Sequence, residues 1–231
     1  IGVDARENLM EELVALEEAK GRVALNKGRA VLTKAERHLK AAGVEQVKTE
    51  QRHGELVETM EEMERQAAMV VIGKRGESAD FAKLHLGGNV ERVIRSSIRP
   101  VLVASRKFVA IEKFLIAFDG SPSAKKAVAY ACEQSLLKGL ACHLLMVGHA
   151  DSGHERELEA ARTQLTGAGY SVISQHLTGD VEKVIAETVR EQQVQLLVMG
   201  AYGHSRIRQL IVGSTTTTMV RTSLVPVLMF R

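Results

Sequence analysis

The chain has 231 residues, of which 45% are hydrophobic, enough for packed cores in one large domain or two of ordinary size. Its 31 Lys and Arg against 28 Asp and Glu leave a net charge of only +3, and it has no Trp, five Phe and three Tyr. It therefore has neither the basic excess nor the stacking surfaces of a nucleic-acid binder. No apolar run approaches the roughly 20 residues that span a bilayer and the N-terminus is not a signal peptide, so no membrane partner is expected, and cysteines without disulfide or zinc spacing fit a reduced cytoplasmic compartment.

Cys132 and Cys142 are the only cysteines and have neither CxxC nor Cys/His ligand spacing, which argues against a disulfide framework or structural zinc. His143, His149, His154 and His176 are likewise scattered without ligand spacing, as surface or satisfied core histidines would be, and no metal site is predicted.

The chain opens with a charged, helix-like segment, Glu7 to Ala42, with no strand ahead of it; with Ile1 in place of Met, a further segment is expected upstream. A polar turn at His53-Gly54-Glu55 opens a second helix. Next come the runs Val70-Val71-Ile72-Gly73-Lys74-Arg75-Gly76 and Arg99-Pro100-Val101-Leu102-Val103. Both recur downstream, as Leu197-Val198-Met199-Gly200-Ala201-Tyr202-Gly203 and Val225-Pro226-Val227-Leu228-Met229, the glycines offset by 127 positions and the prolines by 126. Thr178-Gly179-Asp180 repeats the polar turn. The chain therefore reads as two copies of one unit, 1–108 and 109–231, the first supplying only its last three strands. A sheet so incomplete is expected to expose apolar surface.

The second copy begins with the strand-like run Lys113 to Asp119, bounded by Asp119-Gly120-Ser121-Pro122. Ser121 is placed to cap a helix and Pro122 to occupy its first position, while Ala124, Ala127, Val128, Ala131, Cys132 and Leu136 recur at helical spacing. Then follow strand His143–Val147, helix Glu155–Ala168, strand Tyr170–His176, helix Asp180–Glu191, strand Leu196–Met199, helix Gly213–Thr222 and strand Val225–Met229. The continuously apolar runs at Phe114–Phe118, Leu144–Val147 and Leu196–Met199 suit parallel strands covered on both faces, and the more polar Tyr170–His176 suits an edge. The fold class is α/β, two tandem doubly wound parallel-sheet domains, with a ligand expected at the carboxyl ends of strands near the switch point.

Two strand ends carry the chemistry. A glycine turn leading to a helix N-terminus lets backbone N–H groups approach phosphate oxygens, a task that suits Gly213 and the hydroxyls of Ser214, Thr215 and Thr216. Asp119 is an acceptor for ribose hydroxyls or an adenine amino group. Gly at such a turn also serves backbone geometry alone, and the run Thr215 to Thr218 reads first as a helix turn whose hydroxyls meet free N–H groups. His204, Arg206 and Arg208 read either as phosphate neutralisers or as solvated loop charge.

The pattern Gly200-x2-Gly203-x9-Gly213-Ser214, with Ala117-Phe118-Asp119-Gly120-Ser121 ahead of it, resembles the universal stress protein family, across the whole second copy and more loosely the first. The resemblance implies an adenine nucleotide held by Ala117, Phe118, Asp119, Val147, Met199, Gly200, Gly203, Gly213, Ser214, Thr215 and Thr216, with ATP, with or without Mg2+, as the ligand. Tyr202 replaces a frequent His, and Thr215 a small apolar residue. In the first copy ten residues separate Gly76 from Gly87, Gly88-Asn89 stand where Ser214-Thr215 stand, and residues 1–108 hold no Asp119 equivalent, so its site is expected to be degenerate. The resemblance also implies pairing through the last strand of each copy, Val101–Ala104 beside Val227–Met229, as an internal pseudo-dimer, with a homodimer as a further state.

Without a GxxxxGK[ST] loop, a nucleophile elbow or paired carboxylates by the glycine turn, no dedicated enzyme is expected, at most slow ATP hydrolysis. The Ser-Gly-Gly-x-Asp-Ser loop of ATP pyrophosphatases is also absent. A stress-response regulator is the leading reading; a nucleotide-free scaffold and a slow ATPase are the alternatives.

Overall fold

The computed structural model describes residues 3–74, 88–149, 151–201 and 214–231, which fall into two compact units, Ile1–Gly54 and Glu55–Arg231. In the first unit, α1 runs without interruption from Val3 to Ala41. Its abundance of Ala, Leu, Glu and Lys favours helix, and exposed pairs such as Glu17–Lys20 at 2.9 Å and Glu36–Lys40 at 2.7 Å add about 0.2–0.5 kcal/mol each. Gly43, at φ 89°, ends it, with Val44 N–H donating to Leu39 O at 3.0 Å and Gly43 N–H to Lys40 O at 3.0 Å. Leu9, Met10, Leu13, Val14, Leu16, Val23 and Val31 are exposed along α1.

One expectation is corrected here. The first copy forms two described strands rather than three, because residues 44–53 are not in a ladder. In the second copy the corresponding strand pairs only with the one ahead of it in the chain. Among the described residues of the first copy no strand corresponds to that partner, and 44–53 pair with no strand of the sheet.

The second unit contains α2 (Leu56–Met63), a 3-10 turn (Glu64–Gln66), β1 (Val70–Gly73), α3 (Gly88–Ser96) and β2 (Val101–Ala104). The complete copy follows as β3 (Lys113–Ala117), α4 (Pro122–Glu133), β4 (Ala141–Val147), α5 (Ser152–Gly167), β5 (Val172–Leu177), α6 (Val181–Glu191), β6 (Leu196–Gly200), α7 (Ser214–Thr222) and β7 (Val227–Phe230). Helix α4 is shorter than its apolar spacing implied. Leu136 lies beyond it in a second 3-10 turn, Ser135–Leu137, and is exposed.

All seven strands form one sheet in the order β1-β2-β7-β6-β3-β4-β5. Every pairing is parallel except β2 with β7, where Val101, Leu102 and Val103 face Met229, Leu228 and Val227. The chain winds outward from β3 through β4 to β5, then crosses back to β6 on the other side of β3, so the switch point lies between β3 and β6. The polar β5 takes the edge, as its composition predicted.

Alternation along the strands makes two cores. Phe114, Ile116, Leu144, Met146, Leu196, Val198, Leu228 and Phe230 pack against α4 and α5. Ala124, Ala127 and Ala131 are all fully buried there, small residues that let α4 lie close to the sheet. On the opposite face Leu115, Leu145, Leu197, Met199, Val227 and Met229, with Val101 and Val103, pack against α3, α6 and α7. This second core runs across the β2–β7 junction, so the two repeats share one interior.

At the start of β2 the buried carboxylate of Glu64 accepts the Ser97 hydroxyl and, at 3.2 Å, the Ile98 N–H. Arg99 donates to Glu64 O at 3.1 Å and Arg65 O at 3.0 Å. Burial of an acidic residue is tolerated because its oxygens are met by donors.

Candidate functional site

The site begins where β3 ends. Phe118 N–H donates to Leu145 O at 2.8 Å, extending the ladder one residue past Ala117. Asp119 then leaves it: Oδ1 accepts Ser121 N–H at 3.0 Å across Gly120, which sits at φ 73°. A carboxylate short enough to bond the backbone two residues on, followed by Gly, is what this turn requires. Ser121 Oγ accepts Ala124 N–H at 3.2 Å and, with Pro122 behind it, starts α4 as its sequence predicted.

The neighbouring strands end alongside. Ala117 faces Leu145 on β4 and Met199 on β6, so Val147 and Gly200 stand at the same carboxyl edge of the sheet as Asp119. Val147 precedes Gly148, whose φ of 148° and N–H donation to Leu177 O at 2.9 Å turn the chain off β4. A Cβ on Gly200 would meet Ser123 Oγ at 2.5 Å and Ala124 N at 2.9 Å, so the absent side chain is what lets β6 end against the first turn of α4. On the other face Ser214 opens α7, with Thr216 buried and Thr215 half-buried.

Of the predicted nucleotide residues, Ala117, Phe118, Asp119, Val147, Met199 and Gly200 are brought to this edge. The side chains divide: Phe118 is buried in the α4–α5 core, whereas Met199 is buried with Ala117 and Val147 on the α7 face. Gly203 and Gly213, together with Tyr202, His204, Arg206, Arg208, Gly76 and Gly87, lie outside the described residues. Ser123 and Ala124, which lie against Gly200, and Gly148, which turns the chain off β4, stand at the same edge, and the Pro122 helix start and the Val147-Gly148 strand end signal them in sequence.

Burial decides the titration of the core groups nearby. Burial pushes the Cys142 thiol up to about 12, and pushes Cys132, which is only half-buried, upward as well. His143 is held below its usual range by burial and, secondly, by the Lys113 cation. It is a buried core histidine, but Nδ1 has no hydrogen-bond partner among the described residues, so the expectation of a satisfied one is corrected. His154 Nδ1 lies 2.9 Å from Asp151 Oδ2 at the start of α5. Among the described residues no group of three or more His, Cys, Asp or Glu could hold a metal ion, and no helix is long and apolar enough to cross a membrane.

The universal stress protein family model matches residues 3–105 and 147–231, two segments as a tandem arrangement requires. The chain belongs to the universal stress protein family. A universal stress protein of Synechocystis sp. is 38% identical over all of this chain and 81% of its own length. One from Mycolicibacterium smegmatis is 24% identical over 80% of this chain and 69% of its own. Among solved structures, a universal stress protein from Archaeoglobus fulgidus superposes with a TM-score of 0.74 at 26% identity, covering 89% of this chain and 78% of that one.

Proposed function

We propose that this universal stress protein binds an adenine nucleotide, ATP foremost, at the carboxyl edge formed by Asp119, Val147 and Gly200, and acts as a stress-response regulator in the cytoplasm rather than as a dedicated enzyme. The observation that carries the reading is the convergence of three strand ends at the switch point, with Asp119 at β3, the Val147-Gly148 turn at β4 and Gly200 at β6. Asp119 suits ribose or adenine donors, and the backbone N–H groups opening α7 at Ser214, Thr215 and Thr216 suit phosphate. Gly203 and Gly213 complete the glycine signature in sequence.

The reading includes two copies, 1–108 and 109–231, with one competent site in the second. Support comes from residues 75–89, where ten residues separate Gly76 from Gly87 and Gly88-Asn89 stand where Ser214-Thr215 stand in the second copy. The antiparallel β2–β7 ladder supports an internal pseudo-dimer, and a homodimer is a further proposed state.

Calorimetric titration of the whole chain with ATP and magnesium tests it. Binding at one site per chain, weakened in both Asp119→Ala and Ser214→Ala, is expected. No heat, with no nucleotide retained through purification, would overturn the reading in favour of a nucleotide-free scaffold.

A further inference from the structure

The β2–β7 junction brings part of the first copy to the ligand edge of the second. Because β2 runs antiparallel to β7, the start of β2 lies beside the end of β7, with Val101 facing Met229. The last turn of α3, which leads into β2, is thereby carried to the edge where β6 and β7 end. Phe230 faces Gly200 there, and its carbonyl accepts Ala201 N–H at 2.6 Å.

Arg231 is the next residue. Val227 and Met229 belong to the core on the α7 face, and Arg231 continues their alternation. Its Nη1 donates to Arg95 O at the end of α3, and its own carbonyl accepts Lys126 Nζ from α4 at 2.8 Å. Arg231 is therefore tied to both repeats. Arg95 stands on the same helix as Val90, Val93 and Ile94, which share that core with Met219 and Val220 of α7. The Arg95 Nε is shut off from solvent and has no hydrogen-bond partner among the described residues. A guanidinium donor enclosed in this way is costly unless an acceptor arrives.

We infer that Arg95 and Arg231 form a cationic bridge between the repeats that meets the phosphate chain of a nucleotide bound in the second copy, making affinity depend on the number of phosphates. The first copy then serves the ligand through α3 although its own site is degenerate. The inference rests on the nucleotide reading above and adds to it a specificity element: Arg recognises phosphate oxygens with paired N–H donors, and the contact gains with each added charge.

The test is titration of the whole chain with ATP, AMP and adenosine, for the natural protein, Arg95→Gln, Arg231→Gln and Arg231→Lys, with an unfolding temperature for each. ATP affinity is expected to fall about tenfold or more in each Gln variant. Adenosine affinity is expected to stay unchanged, Arg231→Lys to keep part of the ATP affinity, and the salt dependence of ATP binding to flatten. Equal losses for ATP and adenosine would reduce the pair to a structural tie and overturn the inference. So would ATP binding indifferent to both Gln variants, which leaves the nucleotide reading standing. Silence of the natural protein toward all three ligands would overturn both.

Discussion

Replacing Gly200 by Ala isolates the close approach of β6 to α4. The new Cβ would lie 2.5 Å from Ser123 Oγ, 2.9 Å from Ala124 N and 3.1 Å from Ser123 Cβ. The hydroxyl can rotate aside, but Ala124 N belongs to the first turn of α4, and Ala124 is itself fully buried. Overpacking of this kind costs about 1–3 kcal/mol. Against it stands the stiffening of the unfolded chain, worth about 0.4–1 kcal/mol where Ala can adopt the backbone, and Gly200 is not among the glycines with positive φ. Overpacking wins, for a net loss of about 1–2 kcal/mol. At about 2–4 °C per kcal/mol for a unit of this size, the thermal midpoint should fall by roughly 2–8 °C, read by circular dichroism or calorimetry. Ser123→Ala removes the nearest atom, so Gly200→Ala should cost less in that background than in the natural one. A midpoint unchanged or raised by Gly200→Ala, with strictly additive double-variant effects, would refute the argument.

Three further outcomes follow from the buried polar groups. Glu64→Ala leaves Ser97 and Ile98 donors without their acceptor and should cost about 2–3 kcal/mol in urea unfolding, whereas Glu64→Gln should cost less because it keeps an acceptor oxygen. Cys142, buried with its pKa pushed up to about 12, should resist a thiol reagent at pH 8 in the folded protein and react only on unfolding; rapid labelling without unfolding would contradict its placement. His143 has a folded pKa below its unfolded one, so the unfolded chain takes up its proton first. The stability it contributes is present above about pH 6.5 and is lost as pH falls below that value through the folded pKa. His143→Leu should flatten the fall of the urea midpoint between about pH 7 and pH 5, and a slope unchanged by the substitution would rule out this origin.

Much of the second copy was legible in the sequence because its signals are local. Continuous apolar runs mark the central strands, and Ser121 caps α4 through a hydroxyl three positions from the N–H it accepts. The glycine repeat at an offset of 127 positions signals two similar segments, and Asp119 and Gly200 close two strands that end at the same edge of the sheet.

What the sequence could not decide depends on groups far apart in the chain. The run at 44–53 pairs with no described strand, and a ladder depends on a neighbour that lies elsewhere in the chain. The lack of a described partner for His143 Nδ1 and the donors around the Glu64 carboxylate depend on which atoms other elements bring near. The meeting of Gly200 with Ser123, and of Arg231 with Arg95, joins residues 77 and 136 positions apart. By itself the sequence determined the elements, their repetition and the chemistry available at the strand ends, because these follow from the periodicity and backbone preferences of neighbouring residues. Only the tertiary structure decided the antiparallel register of β2 on β7 and that the core on the α7 face runs across that junction, because both depend on which strand edges find each other.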